Sequence, residues 1–139
     1  MIENRNSNKY LEVAEMSTEN GKALTQYDKT NYPCQIWNIS KMTDGTYQLI
    51  NKNSGLAAGV KNNSISDGAA IIQKTPESDD SQKWSFNCAD SGFYYLVNKA
   101  SGKYMEVTNN LTDNGAAIGQ WGPTAYNCQQ WAIIKEGIR

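Results

Sequence analysis

Histidine is absent from this 139-residue chain, and with it go the commonest general base and the commonest protein metal ligand. Cysteine is scarce as well. Cys34, Cys88 and Cys128 are an odd number without C-x-x-C spacing, which argues against a disulfide framework and a zinc site. An excess of charge of one sign is also missing. Thirteen basic against fourteen acidic residues leave a net charge of -1, which provides no electrostatic footprint for nucleic acid or an anionic membrane. No window approaches the roughly 18 consecutive apolar residues that a spanning helix requires. The opening "MIENRNSNKY" lacks the apolar segment of a secretory signal. The expectation is a soluble chain with no nucleic-acid partner, no membrane insertion, no metal, no cofactor and no signal peptide.

What the chain does have is a repeat. Gln-x-Trp occurs as "QIW", "QKW" and "QQW", placing tryptophans at Trp37, Trp84 and Trp131, two equal steps of 47 residues. The period runs without a gap through Asn4, Asn51 and Asn98, through Ser7, Ser54 and Ser101, and through Val13, Val60 and Val107. It continues through Gly21, Gly68 and Gly115 and through Gln26, Gln73 and Gln120. One domain over 1–139 is expected, divided into repeats 1–45, 46–92 and 93–139.

Local patterning decides what each repeat is. In the middle one, "TYQLIN", "LAAGV", "AAIIQK" and "QKWSFN" are short β-branched and aromatic segments separated by "KNSG", "KNNSISDG" and "TPESDDS". Apolar spacing of three and four over a helical length is missing. Four short strands per repeat, about twelve in all, follow, with the Asn-Gly and Asp-Gly pairs at Asn20, Asp67 and Asn114 providing tight turns. The prediction is an all-β protein with pseudo-threefold symmetry.

Three repeats are too few for a propeller. With an "NGA"-type turn and a terminal Gln-x-Trp in three four-stranded units, the whole chain resembles the ricin-type β-trefoil lectins, the family 13 carbohydrate-binding modules. That resemblance implies a β-trefoil, a six-stranded barrel capped by three hairpins, with up to one sugar site per repeat. A trefoil closes by pairing its first strand with its last. Here Ile2 matches Leu49 and Leu96 but no tyrosine precedes it. A strand that starts midway at Met1 predicts either a module of a larger protein or a slightly open barrel.

Positions identical in all three repeats are assigned to the scaffold, including Trp37, Trp84 and Trp131 packed on the three valines, and the glutamines Gln26, Gln73 and Gln120 as partners of main-chain groups. Other positions change together in one repeat only. Glu12 and Glu106 are matched by Gly59, Tyr27 and Trp121 by Lys74, Tyr32 and Tyr126 by Asp79, and Cys34 and Cys128 by Ser81. This concerted loss predicts a ligand site retained in the first and last repeats and abandoned in the middle one.

The chemistry suits a sugar. The C–H face of a pyranose stacks on an aromatic ring, and a carboxylate accepts from two vicinal hydroxyls at once. In the ricin-type pattern the acid precedes the platform by fifteen residues, as Glu12 precedes Tyr27 and Glu106 precedes Trp121. The resemblance implies further ligand contacts from Glu15 or Asn109 and from Gln35 or Gln129. Tyr32 and Tyr126 either join the site or cover the barrel rim. The chain departs from the family by carrying glutamate for aspartate, and cysteine for the asparagine before Gln-x-Trp. Asn127 is expected to replace that amide in the last repeat, and Pro33 has no equivalent function in the first, which ranks the last repeat as the better site.

An enzyme is not expected. Glycosidases place two carboxylates about 5 to 9.5 Å apart across one bond, whereas Glu12 and Glu106 belong to different repeats. Without histidine the cysteines lack the usual base. The expected function is non-catalytic carbohydrate binding, with galactose-type sugars or xylan-like glycans as the ligands implied by the family and an extracellular setting favoured by the resemblance. The rival is a protein-interaction trefoil with decayed sugar sites.

Overall fold

The structure, a computed structural model of the chain, describes residues 1–135. Its regular elements are twelve β-strands and short 3-10 turns. The first repeat holds β1 (Ile2–Asn4), β2 (Tyr10–Val13), β3 (Leu24–Tyr27) and β4 (Trp37–Lys41). The middle repeat holds β5 (Tyr47–Asn51), β6 (Ala57–Val60), β7 (Ile71–Lys74) and β8 (Trp84–Asp90). The last holds β9 (Phe93–Asn98), β10 (Tyr104–Val107), β11 (Ile118–Trp121) and β12 (Trp131–Ile133).

All pairings are antiparallel and repeat with the sequence. Strands β1, β4, β5, β8, β9 and β12 form the barrel, in which β12–β1, β4–β5 and β8–β9 are the long pairs. Hairpins β2–β3, β6–β7 and β10–β11 cap it, each reached from the barrel strand before it. The architecture is a β-trefoil.

Strand alternation explains the core. In β2, β6 and β10 the residues on either side of the variable position, Leu11 and Val13, Ala58 and Val60, Met105 and Val107, are fully buried and join one apolar cluster with the three Gln-x-Trp tryptophans. Position two of the alternation faces the other way, and there sit Glu12, Gly59 and Glu106. Each tryptophan also donates its indole N–H, from Nε1, to the carbonyl of the second residue of that strand, Leu11, Ala58 or Met105, at 3.0 Å. Burying a ring and pairing its only donor satisfies both demands that tryptophan makes.

The three buried glutamines lock the repeats in a ring. Gln26 Nε2 donates to Leu111 O and Asp113 O, Gln73 Nε2 to Ser17 O and Glu19 O, and Gln120 Nε2 to Ser64 O and Ser66 O. Each thus holds the loop of a neighbouring repeat, and the same loops dock through Gly21, Gly68 and Gly115, whose N–H groups donate to the glutamine carbonyls at 2.7 Å. The glycines, not the preceding Asn or Asp, take the left-handed φ of 84 to 97° in these turns.

The first strand does close on the last. Ile2, Glu3 and Asn4 pair with Ile133, Ala132 and Trp131. No opening is seen at that junction. Tyr47 bridges to Trp84 and Tyr94 to Trp131, but no matching bridge links β1 to β4 among the described residues. Trp37, on that seam, keeps 6% exposure while Trp84 and Trp131 keep none.

Candidate functional site

In the last repeat, Glu106, Asn109, Asn110, Trp121, Thr124, Tyr126 and Cys128 line a cleft of about 400 Å3. Three segments converge there. Strand β10 supplies Glu106, opposite Gly119 of β11, so no side chain across the hairpin covers the carboxylate. The 3-10 turn Thr108–Asn110 supplies two asparagines in left-handed conformation, Asn109 and Asn110, both with φ 59°. Asparagine tolerates that region because its short polar side chain bonds locally. Trp121 ends β11 with 42% of its surface exposed, an unusual state for a large apolar ring.

Glu106 is buried to 9% exposure and has no cation paired with it among the described residues. Burial raises its pKa above the ordinary carboxylate range. The Gln129 amide opposes that shift by donating to Oε1 at 3.1 Å, while the negative charge of Asp67 adds to it. Gln129 itself is fully buried, and its other contacts are Gly122 O at 2.8 Å and the Thr124 N–H at 3.0 Å. Gln35 repeats this set in the first repeat, with Glu12 Oε1 at 3.1 Å, Asp28 O at 2.8 Å and the Thr30 N–H at 3.0 Å.

Those bonds correct one expectation. Both amide hydrogens of Gln35 and of Gln129 are already committed inside the protein, so these residues orient the carboxylate from behind rather than reach into the cleft. Asn127 stands exposed at the start of its 3-10 turn and is not among the cleft residues, where Cys128 faces instead. In the first repeat the Cys34 thiol points at Glu12 Oε1 from 3.9 Å. Burial, then the adjacent glutamate, pushes the Cys34 and Cys128 thiols up to about 11, so both stay protonated at neutral pH.

The first repeat reproduces only part of the arrangement. Glu12 is buried with a raised pKa, again chiefly from desolvation, and Tyr27 and Tyr32 are exposed. Glu15 departs from expectation: its exposed carboxylate accepts from Lys22 Nζ at 3.0 Å, an ion pair that draws it to Lys22. It also occupies the left-handed position, φ 59°, that asparagine holds in the other repeats. Met16 stands where the last repeat has Asn110.

Neighbouring repeats complete each platform, a contribution that alignment of equivalent positions leaves out. Asp67 Oδ1 accepts from the Gly122 N–H at 2.9 Å, and a side chain at Gly68 would meet the Trp121 ring at 3.5 Å. Asn114 does the same for the first repeat, accepting from the Asp28 N–H at 2.9 Å. Asp67 and Asn114 were visible in the sequence only as turn residues, and Asn110 and Thr124 were not expected to line the cleft, whereas Cys128 was among the positions that vary together. The left-handed pair recurs as Glu15–Met16, Asn62–Asn63 and Asn109–Asn110, so it belongs to the shared turn and does not by itself mark the cleft.

In the middle repeat the space is filled. A Cβ at Gly59 would lie 3.0 Å from the Lys74 side chain, which runs over this glycine, and 3.0 Å from Gln82. Lys74 Nζ donates to Asn63 Oδ1 at 2.6 Å, Val60 O at 3.3 Å and Ser81 Oγ at 3.5 Å. Asp79, in place of the tyrosine, caps its own turn by accepting from the Ser81 N–H.

Comparison with known proteins agrees with this architecture. The family described as ricin-type beta-trefoil lectin domain-like matches residues 1–74 and 80–138. ThreeFoil, a designed threefold symmetric protein, is 35% identical with a TM-score of 0.94, covering 96% of each chain. An exo-β-1,3-galactanase from Clostridium thermocellum is 30% identical with a TM-score of 0.92 over 94% of this chain, which spans only 28% of that one. A ricin B-like lectin of Macrolepiota procera, solved with lactose, shares 15% identity and the fold, with a TM-score of 0.81 over 94% of this chain and 90% of that one. A search of the curated proteins returned no match.

Proposed function

This chain belongs to the ricin-type β-trefoil lectin-like family, and from that premise we propose that it binds carbohydrate, without catalysis, through the last-repeat cleft and its weaker counterpart in the first repeat. The observation that carries the reading is a buried carboxylate, without a counter-ion among the described residues, that shares one open cleft with a half-exposed tryptophan. A pyranose laid on Trp121 brings vicinal hydroxyls to Glu106, with Asn109, Asn110 and Tyr126 at the rim. Gln129 holds the carboxylate in place, which lowers the cost of ordering it on binding. The first repeat offers Glu12, Tyr27 and Tyr32 but has lost the asparagine pair, so its site is the weaker.

Galactose-type sugars are the favoured class over xylan-like glycans, supported by the likeness to a galactanase at 30% identity. A shallow cleft of this kind binds one sugar weakly, about 1 mM or -4 kcal/mol. Engagement of two sites on one polymer then raises the effective affinity. The test is an NMR titration of the Trp121 indole signal with lactose and with xylo-oligosaccharides. A shift with lactose at millimolar concentration is expected, and no shift with any glycan sinks the reading.

A further inference from the structure

The middle repeat shows what this part of the fold attracts. There Lys74 stands in the platform position, and its ammonium is held by Asn63 Oδ1, Val60 O and Ser81 Oγ. The last-repeat counterparts of those three residues are Asn110, Val107 and Cys128, and Asn110 and Cys128 line the open cleft. Two of the three cation acceptors, the asparagine amide oxygen and the valine carbonyl, are thus chemically retained. Where the middle repeat has Gly59, the last repeat adds the carboxylate of Glu106.

The cleft is therefore one-sided in charge. Its lining holds a carboxylate and no lysine or arginine. The nearby cation, Lys103, is paired at 3.3 Å with Asp67 rather than with Glu106. Trp121 and Tyr126 add exposed aromatic surface, which attracts an ammonium through the ring face. An incoming cation relieves the buried Glu106, and a charge-assisted hydrogen bond to a carboxylate is about twice as strong as one between neutral groups.

We propose that the last-repeat cleft selects sugars carrying a free amine, the de-N-acetylated hexosamines, over neutral, N-acetylated and acidic sugars. The sugar ammonium takes the place against Asn110 and Glu106 that corresponds to the Lys74 ammonium in the middle repeat. This inference rests on the carbohydrate reading above and refines it. The acetylated amine carries no charge and is bulkier, and a uronic acid meets Glu106 with like charge.

The experiment follows the Trp121 indole signal of the full chain just below neutral pH. Galactose, galactosamine, N-acetylgalactosamine and galacturonic acid are titrated in turn, followed by the glucose series. The amine is expected to bind roughly fivefold more tightly than its neutral parent. The N-acetyl sugar is expected to bind no better than the parent, and the uronic acid more weakly. In Glu106→Gln, which preserves side-chain shape, all sugars bind more weakly and the amine preference falls below about twofold. Equal or tighter binding of the neutral parent in both series overturns the proposal and leaves carbohydrate binding standing. An undiminished preference in Glu106→Gln also overturns it. Silence toward every sugar removes both readings.

Discussion

The middle and last repeats carry the same frame and differ in what fills it. Trp84 and Trp131 are equally buried and donate to equivalent carbonyls at 3.0 Å. Asn98 and Asn4 donate in the same way to the main chain of Ser81 and Cys128 at 2.9 Å. On the other side of β6 and β10, Gly59 with Lys74 makes a closed, internally bonded surface, while Glu106 with Trp121 leaves a cleft. The lesson is that strand alternation separates two jobs. Residues facing the barrel hold the fold, and those facing away are free to bind or to close, because exchanging them leaves every frame contact in place.

The largest expected effect tests the shared half of that comparison. Trp131→Ala and Trp84→Ala should each cost about 3–5 kcal/mol, measured by denaturant unfolding, because each removes a fully buried ring and orphans a carbonyl partner. A cost in one repeat alone would break the claim that the frames are equivalent. Next is the open half. Trp121→Ala should abolish last-repeat binding, read from the backbone amide signals of Asn109 and Asn110 on titration with sugar, yet cost less than about 1 kcal/mol of stability, since the ring is 42% exposed. Loss of folding instead would make Trp121 a frame residue.

A smaller effect addresses the closed half. Gly59→Ala places a Cβ 3.0 Å from both the Lys74 and Gln82 side chains and should destabilise by roughly 1 kcal/mol. Adding Lys74→Ala should recover part of this, a coupling read from a double-mutant cycle. Additive costs would show that Lys74 does not fill the space over Gly59.

The smallest effect is a pH response. Burial raises the pKa of Glu106 and of Glu12, so the folded state takes up these protons before the unfolded state does. Their contribution favours folding below the unfolded pKa and is lost as pH rises through the folded one. Acidification toward the ordinary value of 4.5 should therefore weaken sugar binding, while this contribution to stability grows. Comparing Tm against pH for the wild type and Glu106→Gln isolates it, and the variant should be no less stable at neutral pH. A marked stability loss in the variant would mean that the ionised carboxylate supports the fold.

The gap-free period of 47 residues was enough to predict twelve strands, threefold symmetry and the burial of Trp37, Trp84 and Trp131. It also separated Trp131, which recurs in every repeat, from Trp121, which does not. Glu106, Trp121 and Tyr126, named on that basis, and Asn109, implied by the resemblance, line one cleft. Gln129 and Asn127 were less legible. The direction of a side chain depends on which main-chain groups lie beside it in space, and Gln129 finds a carboxylate on one side and Gly122 O on the other.

The repeat and its local strand patterning by themselves determined an all-β chain of threefold symmetry and marked the positions that vary, because a period is a property of the chain alone, and the resemblance to ricin-type lectins implied the β-trefoil. Only the tertiary structure decided how the variable positions are used. It brought Asp67 of one repeat against Gly122 of the next, folded Lys74 over Gly59, and left Glu106 buried without a counter-ion among the described residues. Each of these depends on contacts between residues that the alignment of repeats never places together, so packing rather than periodicity separates an open cleft from a closed one.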